Sequence, residues 1–135
     1  MYNFEYSKAS SASAAADALK ADDEAKVVAG GMTLIPTLKQ RLAQPTALID
    51  LNGVDDLRGI TVSGDTVTIG AMTTHDTVAR SADVAKAIPA LAYLAGLIGD
   101  PAVRNRGTIG GSISNNDPAA DYPAALVGLG ATVKT

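Results

Sequence analysis

The sequence predicts an α+β fold built in two lobes. Three observations carry that prediction. Through roughly the first fifty residues, short apolar runs alternate with amphipathic or Ala-rich stretches and read as β-α-β-α-β. Two runs that alternate β-branched with polar residues then flank Gly64-Asp65, the pattern of a β-hairpin. Beyond them, apolar residues recur at helical spacing. The pattern changes between Asn52 and Leu57, which places the first lobe at 1–52 and the second at 53–135.

Taken in order, Phe4-Glu5-Tyr6 alternates and reads as the first strand. Ser10 to Ala21 is Ala-rich, with Ser10 or Ser11 as N-cap, and reads as a helix. Lys26 to Ala29 is a short apolar strand ended by Gly30-Gly31. Thr33 can cap a helix whose apolar face is Ile35, Leu38 and Leu42, stopped by Pro45. Ala47 to Leu51 is the third strand. Gly59 to Ser63 and Thr66 to Ala71 form the hairpin, and a short helix starts near Thr73 or Thr74. Val84, Ala87, Ile88, Leu91, Leu94, Ala95 and Ile98 keep the 3.6-residue period over four turns and predict one continuous helix, closed by Gly99 with Pro101 after it. The run from Arg104 to Pro123 reads as strand and turn, Pro123 to Leu129 as a helix, and Ala131 to Lys134 as a strand. That strand has no partner after it, so the chain reads as a fragment or a short version of a longer protein.

Composition narrows the class. A hydrophobic content of 47% supports a true core, and charged residues at 19% do not suggest disorder. The net charge of −3, with no Lys/Arg cluster, argues against a nucleic-acid surface. With no cysteine, the chain has no thiolate metal site, no cysteine nucleophile, and no ligands for an ordinary iron–sulfur cluster. The N-terminus lacks a signal pattern, and the longest apolar stretch, Ile88 to Gly99, contains Pro89 and is too short to span a bilayer. A soluble cytoplasmic protein is the expectation.

Two glycine-bearing motifs suggest a ligand. Val28-Ala29-Gly30-Gly31-Met32-Thr33-Leu34 runs from a strand through a glycine pair into a helix start, where unpaired N–H groups attract anions. The spacing fits neither G-x-G-x-x-G nor a P-loop, and a simple βα turn is the plainer alternative. Thr108-Ile109-Gly110-Gly111-Ser112, followed by Asn115-Asn116-Asp117, combines glycines with hydroxyls, side-chain amides and a carboxylate. Its alternatives are a phosphate-bearing ligand or a structural bulge. Asp121 could bond a ribose diol or cap the helix near Pro123. Arg104 and Arg106 could neutralise phosphates or pair with Asp100 and Asp117. Asp22, Asp23 and Glu24 read as a solvated loop. His75, the only histidine, stands in a predicted first helical turn that disfavours its charged form. No catalytic constellation and no metal-ligand spacing stands out.

Together, AGGMTLIPTLKQRLAQPTALIDL, IGAMTTHDTVARS and VRNRGTIGGSISNNDPAADYPAAL resemble the FAD-binding medium subunit of the molybdenum hydroxylases, the family of aerobic carbon monoxide dehydrogenase and xanthine dehydrogenase. The resemblance runs from Tyr2 to Thr135. One departure is Met32-Thr33, where carbon monoxide dehydrogenase subunits tend to read AGGHS. The resemblance implies a two-lobed FAD-binding fold of the vanillyl-alcohol oxidase type, without the family's C-terminal domain. It implies that Val28 to Leu34 wraps the FAD pyrophosphate through main-chain amides and that Thr108, Gly110, Gly111 and Ser112 form a second glycine loop on the same cofactor. Asp121 matches a ribose-binding acid, Ile69 and Ala71 fall where the nucleotide end is contacted, and Asn115 and Asp117 lie in the loop between. It also implies partners: a large subunit with the molybdenum cofactor, where substrate is hydroxylated, and a small subunit whose two [2Fe-2S] clusters pass electrons to FAD. A self-contained FAD oxidoreductase on the same fold and a non-flavin assembly module are the alternatives.

Overall fold

The computed structural model describes residues 1–135. It opens with strand β1 (Glu5–Lys8), helix α1 (Ala12–Ala21), strand β2 (Lys26–Val28), helix α2 (Leu34–Lys39) and strand β3 (Ala47–Asp50). The three strands form one parallel sheet in the order β1-β3-β2, with Tyr6 opposite Leu48 and Val28 opposite Asp50. The central strand decides the packing because its side chains alternate between faces. Leu48 packs with Val28 and Leu38 of α2, while Ile49 packs with Ala9, Ala15 of α1, Ala25 and Val54. A parallel strand covered on both faces favours apolar residues, as in Ala47-Leu48-Ile49, with Asp50 at its end. Helix α1 starts where the Ser11 hydroxyl accepts from the Ala14 amide at 3.0 Å, pairing one donor that a first turn leaves free.

Helix α2 is shorter than its apolar spacing predicts. It ends at Lys39, Arg41 takes a left-handed φ of 58°, and Leu42 is 73% exposed rather than buried beside Leu38. Thr33 does not cap it through its side chain. The Thr37 hydroxyl instead donates to the Thr33 carbonyl at 2.9 Å.

A 3₁₀ turn (Asp55–Leu57) leads to the antiparallel hairpin of β4 (Ile60–Ser63) and β5 (Thr66–Ile69). Gly64 turns it with a φ of 56°. Six helices follow: α3 (His75–Arg80), α4 (Ala82–Ala87), α5 (Pro89–Leu97), α6 (Pro101–Arg104), α7 (Ile109–Asn115) and α8 (Asp121–Gly128). The single helix expected over Val84 to Ile98 is two, α4 and α5. Pro89 lacks an N–H to continue the ladder and pushes Ile88 to φ −140°, ψ 71°. Val84, Leu91 and Ala95 still reach one core with Val78, Ala92, Ile109 and Tyr122, while Ala87 is exposed.

The largest correction concerns Arg104 to Pro123. Its only β pairing is an isolated bridge between Thr74 and Thr108, and Ile109 to Asn115 is helical. Glycine disfavours helix by about 1 kcal/mol per residue, so local propensity argues for a loop. The helix forms because Thr108 caps it and Ile109 buries into the core. The last helix begins at Asp121, two residues before Pro123. Residues Ala131 to Lys134 form no strand.

Candidate cofactor site

A cleft of about 880 Å³ opens beyond the C-terminal end of β2, within the range of about 300–1,000 Å³ common for small-molecule sites. The ends of parallel strands are where α/β sheets place ligands. One wall is Val28, Ala29, Gly31, Met32, Thr33 and Leu34. The other is Thr108, Gly110, Gly111 and Ser112 from the start of α7, with Asn115, Asp117 and Asp121 farther along, and Ala71 and His75 also reach it. Two expected residues do not line it. Gly30 lies against the second half of the chain, and a Cβ there would overlap the Arg106 carbonyl. Ile69 packs half-buried against the helical core.

The walls differ in what they offer. Every main-chain amide from Ala29 through Leu34 lacks an acceptor within the chain. Gly31, at φ 74°, bends this run into a concave turn. Successive unpaired amides in a turn are donors of the kind that anion-binding nests use. The opposite wall spends its amides internally: Ile109 donates to the Thr73 carbonyl at 3.1 Å, Gly110 to Ala71 at 2.9 Å and Gly111 to the Thr108 hydroxyl at 3.1 Å. The expected second glycine loop is therefore a capped helical turn. Its glycines serve close approach: a Cβ on Gly110 would lie 2.6 Å from the Ala71 Cβ, and one on Gly111 would lie 2.8 Å from Thr108 Oγ1 and 3.7 Å from the Ala29 Cβ across the cleft.

Lys26 is the only lysine or arginine lining the cleft, against Asp23, Asp117 and Asp121. An anion there would be held by main-chain dipoles rather than side-chain cations. Arg104 is committed elsewhere, donating to the Ile98 and Gly99 carbonyls at 3.3 and 3.1 Å. Neither expected ion pair with Asp100 or Asp117 forms: Asp100 caps α6 at the Val103 amide, and Asp117 accepts from the Ala119 amide. Asp121 occupies the first turn of α8, whose N-cap is Ala120, so it does not cap that helix. His75 is 5% exposed, and burial lowers its pKa below the usual imidazole value. Asp22 is more structured than a solvated loop, accepting from the Thr46 hydroxyl at 2.5 Å.

A polar network behind the first wall carried no sequence signal. Tyr6 donates to Asp50 Oδ2 at 2.6 Å, and Asp50 Oδ1 accepts from the amide and side chain of Asn52 at 2.8 and 2.7 Å. Asn52 Nδ2 also donates to the Ala29 carbonyl at 3.2 Å, and Asn52 Oδ1 accepts from Arg58 at 3.2 Å. Asp50 is buried, which pushes its pKa up. The hydrogen bonds from Tyr6 and Asn52 outweigh that, and its pKa ends below the usual carboxylate value. Asp50, Asn52 and Arg58 are close in sequence, and parallel pairing of β1 and β2 with β3 brings Tyr6 and the Ala29 carbonyl to them.

A parallel β-α-β-α-β layer facing a helical layer across a cleft, with a run of unpaired amides on one wall, is the build of an α+β dinucleotide-binding protein. The family model for the FAD binding domain in molybdopterin dehydrogenase matches residues 2–135. The chain is 40% identical over 129 residues to the nicotine 6-hydroxylase medium subunit of Paenarthrobacter nicotinovorans, covering 96% of this chain and 46% of that one. It is 49% identical over 106 residues to the carbon monoxide dehydrogenase medium chain of Hydrogenophaga pseudoflava, covering 78% and 37%. Among solved structures, carbon monoxide dehydrogenase from Hydrogenophaga pseudoflava superposes with a TM-score of 0.90 at 47% identity, covering 92% of this chain and 44% of that one. Quinoline 2-oxidoreductase from Pseudomonas putida 86 gives a TM-score of 0.90 at 36% identity, covering 93% and 44%. The chain belongs to the FAD-binding domain family of the molybdopterin dehydrogenases, and it spans less than half the length of these relatives.

Proposed function

We propose that this chain is the FAD-binding portion of the medium subunit of a cytoplasmic molybdenum hydroxylase. Its flavin would accept electrons from the iron–sulfur clusters of a small partner subunit, deliver them to an external acceptor, and leave hydroxylation to a large molybdenum-cofactor subunit. The observation that carries this reading is the run of unpaired amides from Ala29 to Leu34 along a cleft with a single lysine. A diphosphate is the group such a run suits, because each phosphate oxygen can accept several N–H donors at once.

In this reading Val28 to Leu34 seats the diphosphate. Gly111 faces Ala29 with no side chain and keeps the gap open between the walls. Ser112, Asn115, Asp117 and Asp121 offer polar groups to the ribose and nucleotide end, with Thr108 holding the helical turn beneath them. Gly30 and Ile69 support this seat from outside the cleft, Gly30 by packing on Arg106. The apolar clusters on the two faces of the parallel sheet and the cluster among α3, α4, α5, α7 and α8 support a two-lobed reading, with Val54 and Leu57 packing into the first lobe. When bound, the flavin supplies the two-electron and one-electron redox chemistry that no side chain here offers.

The test is equilibrium titration of the purified chain with FAD, followed by flavin fluorescence and absorption. Saturable binding is the expected result. Met32→Asp, which sets a carboxylate beside the amide run at a partly exposed position lining the cleft, should weaken binding at least tenfold while circular dichroism stays native. No binding by the native chain at saturating FAD overturns the reading.

A further inference from the structure

The Ala29–Gly30 peptide is the second unit of the amide run and carries the Gly30 N–H, and its orientation is not fixed by secondary structure. β2 ends at Val28 and α2 begins at Leu34. No main-chain donor reaches the Ala29 carbonyl, and its partner is Asn52 Nδ2 at 3.2 Å. A trans peptide is planar, with C=O and N–H pointing in opposite directions. Holding the Ala29 carbonyl therefore fixes the direction of the Gly30 amide.

Asn52 is itself fixed on three sides. One amide hydrogen goes to Asp50 Oδ1 at 2.7 Å, the other to Ala29, and its carbonyl oxygen accepts from Arg58 Nη2 at 3.2 Å. Arg58 has only donors and the Asp50 carboxylate only acceptors, so these partners permit one orientation of the side-chain amide. The Arg58 guanidinium also reaches the Met72 carbonyl at 3.4 Å. Ala29 and Met72 both line the cleft, so the Asn52–Arg58 pair ties together two parts of its lining.

We propose that Asn52 is a positioning residue for the diphosphate seat: it sets the Ala29–Gly30 peptide plane, and with Arg58 it holds the cleft lining in register. The proposal rests on the FAD reading above and adds the residue that aims the amide run. Among neutral side chains of this size, asparagine provides the two donors and one acceptor used here. Aspartate in its place keeps the acceptor for Arg58 but loses both donors.

The experiment compares the native chain with Asn52→Asp and the isosteric Asn52→Leu at pH 8. FAD affinity is read by flavin fluorescence, the bound diphosphate by ³¹P resonance, and folding by circular dichroism. Both variants should fold and bind FAD about tenfold more weakly, the scale of one lost supporting hydrogen bond. The ³¹P signals of the bound cofactor should move, a change that a general loss of stability does not produce. If only one variant folds, that variant carries the test. A folded variant with native affinity and unshifted ³¹P signals overturns the assignment of Asn52 alone. A native chain that binds no FAD overturns the cofactor reading on which it rests.

Discussion

His75 and Tyr122 meet ring against ring, their centroids 5.2 Å apart and their planes inclined at 42°. His75 Nδ1 and the Tyr122 hydroxyl are both buried without a hydrogen-bond partner. This contact joins the start of α3 to the first turn of α8, between the cleft and the helical core. Gly107 completes it, since a Cβ there would fall 2.5 Å from His75 Nε2. Burial disfavours charge on both rings, lowering the histidine pKa and raising that of the tyrosine.

The first prediction is a pH dependence with a definite sign. His75 starts from an unfolded value of about 6.5 and is depressed in the folded chain. Above pH 6.5 both states are neutral and the stability is fully present. As pH falls below 6.5 the unfolded chain takes up the proton first, so stability is lost down through the folded pKa. Thermal melts from pH 8 to pH 5 should show a falling Tm, and His75→Phe should flatten this part of the profile.

The second concerns the tyrosine hydroxyl. A buried hydroxyl with no partner costs about 1–3 kcal/mol. Tyr122→Phe should therefore leave stability unchanged or raise it by about 1 kcal/mol. Tyr122→Ala, which empties a fully buried site, should cost about 3–5 kcal/mol. Urea unfolding of the two variants measures both.

A third prediction separates glycines required by packing from those that are not. In Gly110→Ala the new methyl lies 2.7 Å from the Ala71 carbonyl oxygen, and overpacking of this kind costs about 1–3 kcal/mol. Gly128 lies at the C-terminal end of α8, where a Cβ meets nothing within 4 Å. Gly128→Ala should stabilise by about 0.5–1 kcal/mol. Opposite shifts of the denaturation midpoint are the expected readout.

The fourth is acid lability at the sheet. The Asp50 carboxylate holds Tyr6 and Asn52, and its folded pKa lies below the unfolded value of 3.8. Its contribution is present above that value and lost as pH falls through the folded pKa. Asp50→Asn should lower stability at pH 7 and remove part of the loss seen between pH 4 and pH 2 in acid titrations followed by circular dichroism.

The cap on α7 gives the fifth. Thr108 Oγ1 accepts from the Gly111 amide at 3.1 Å. Thr108→Ala should cost about 1 kcal/mol and free the Gly111 amide to exchange, measurable as lost hydrogen-exchange protection at that residue.

What the sequence determined by itself was local. Alternation and capping residues located the β-α-β-α-β order, the Gly64 hairpin, the helix starts near Ser10 or Ser11 and near Thr73 or Thr74, and the three motifs that identify the family. Each depends on residues a few positions apart, where side-chain period and backbone freedom leave a direct trace. The tertiary structure decided the rest. It split Val84–Ile98 at Pro89, because an unbroken apolar period does not register one missing N–H. It released Leu42 to solvent, and it made a helix of glycines that propensity alone assigns to a loop. It also gave the two glycine motifs different work: free amides along Ala29–Leu34, and close packing of Gly110 on Ala71. Whether an amide is free depends on what its neighbours in space accept, and the direction of the Gly30 amide depends on Asn52, more than twenty residues away in the chain but bonded to the adjoining carbonyl.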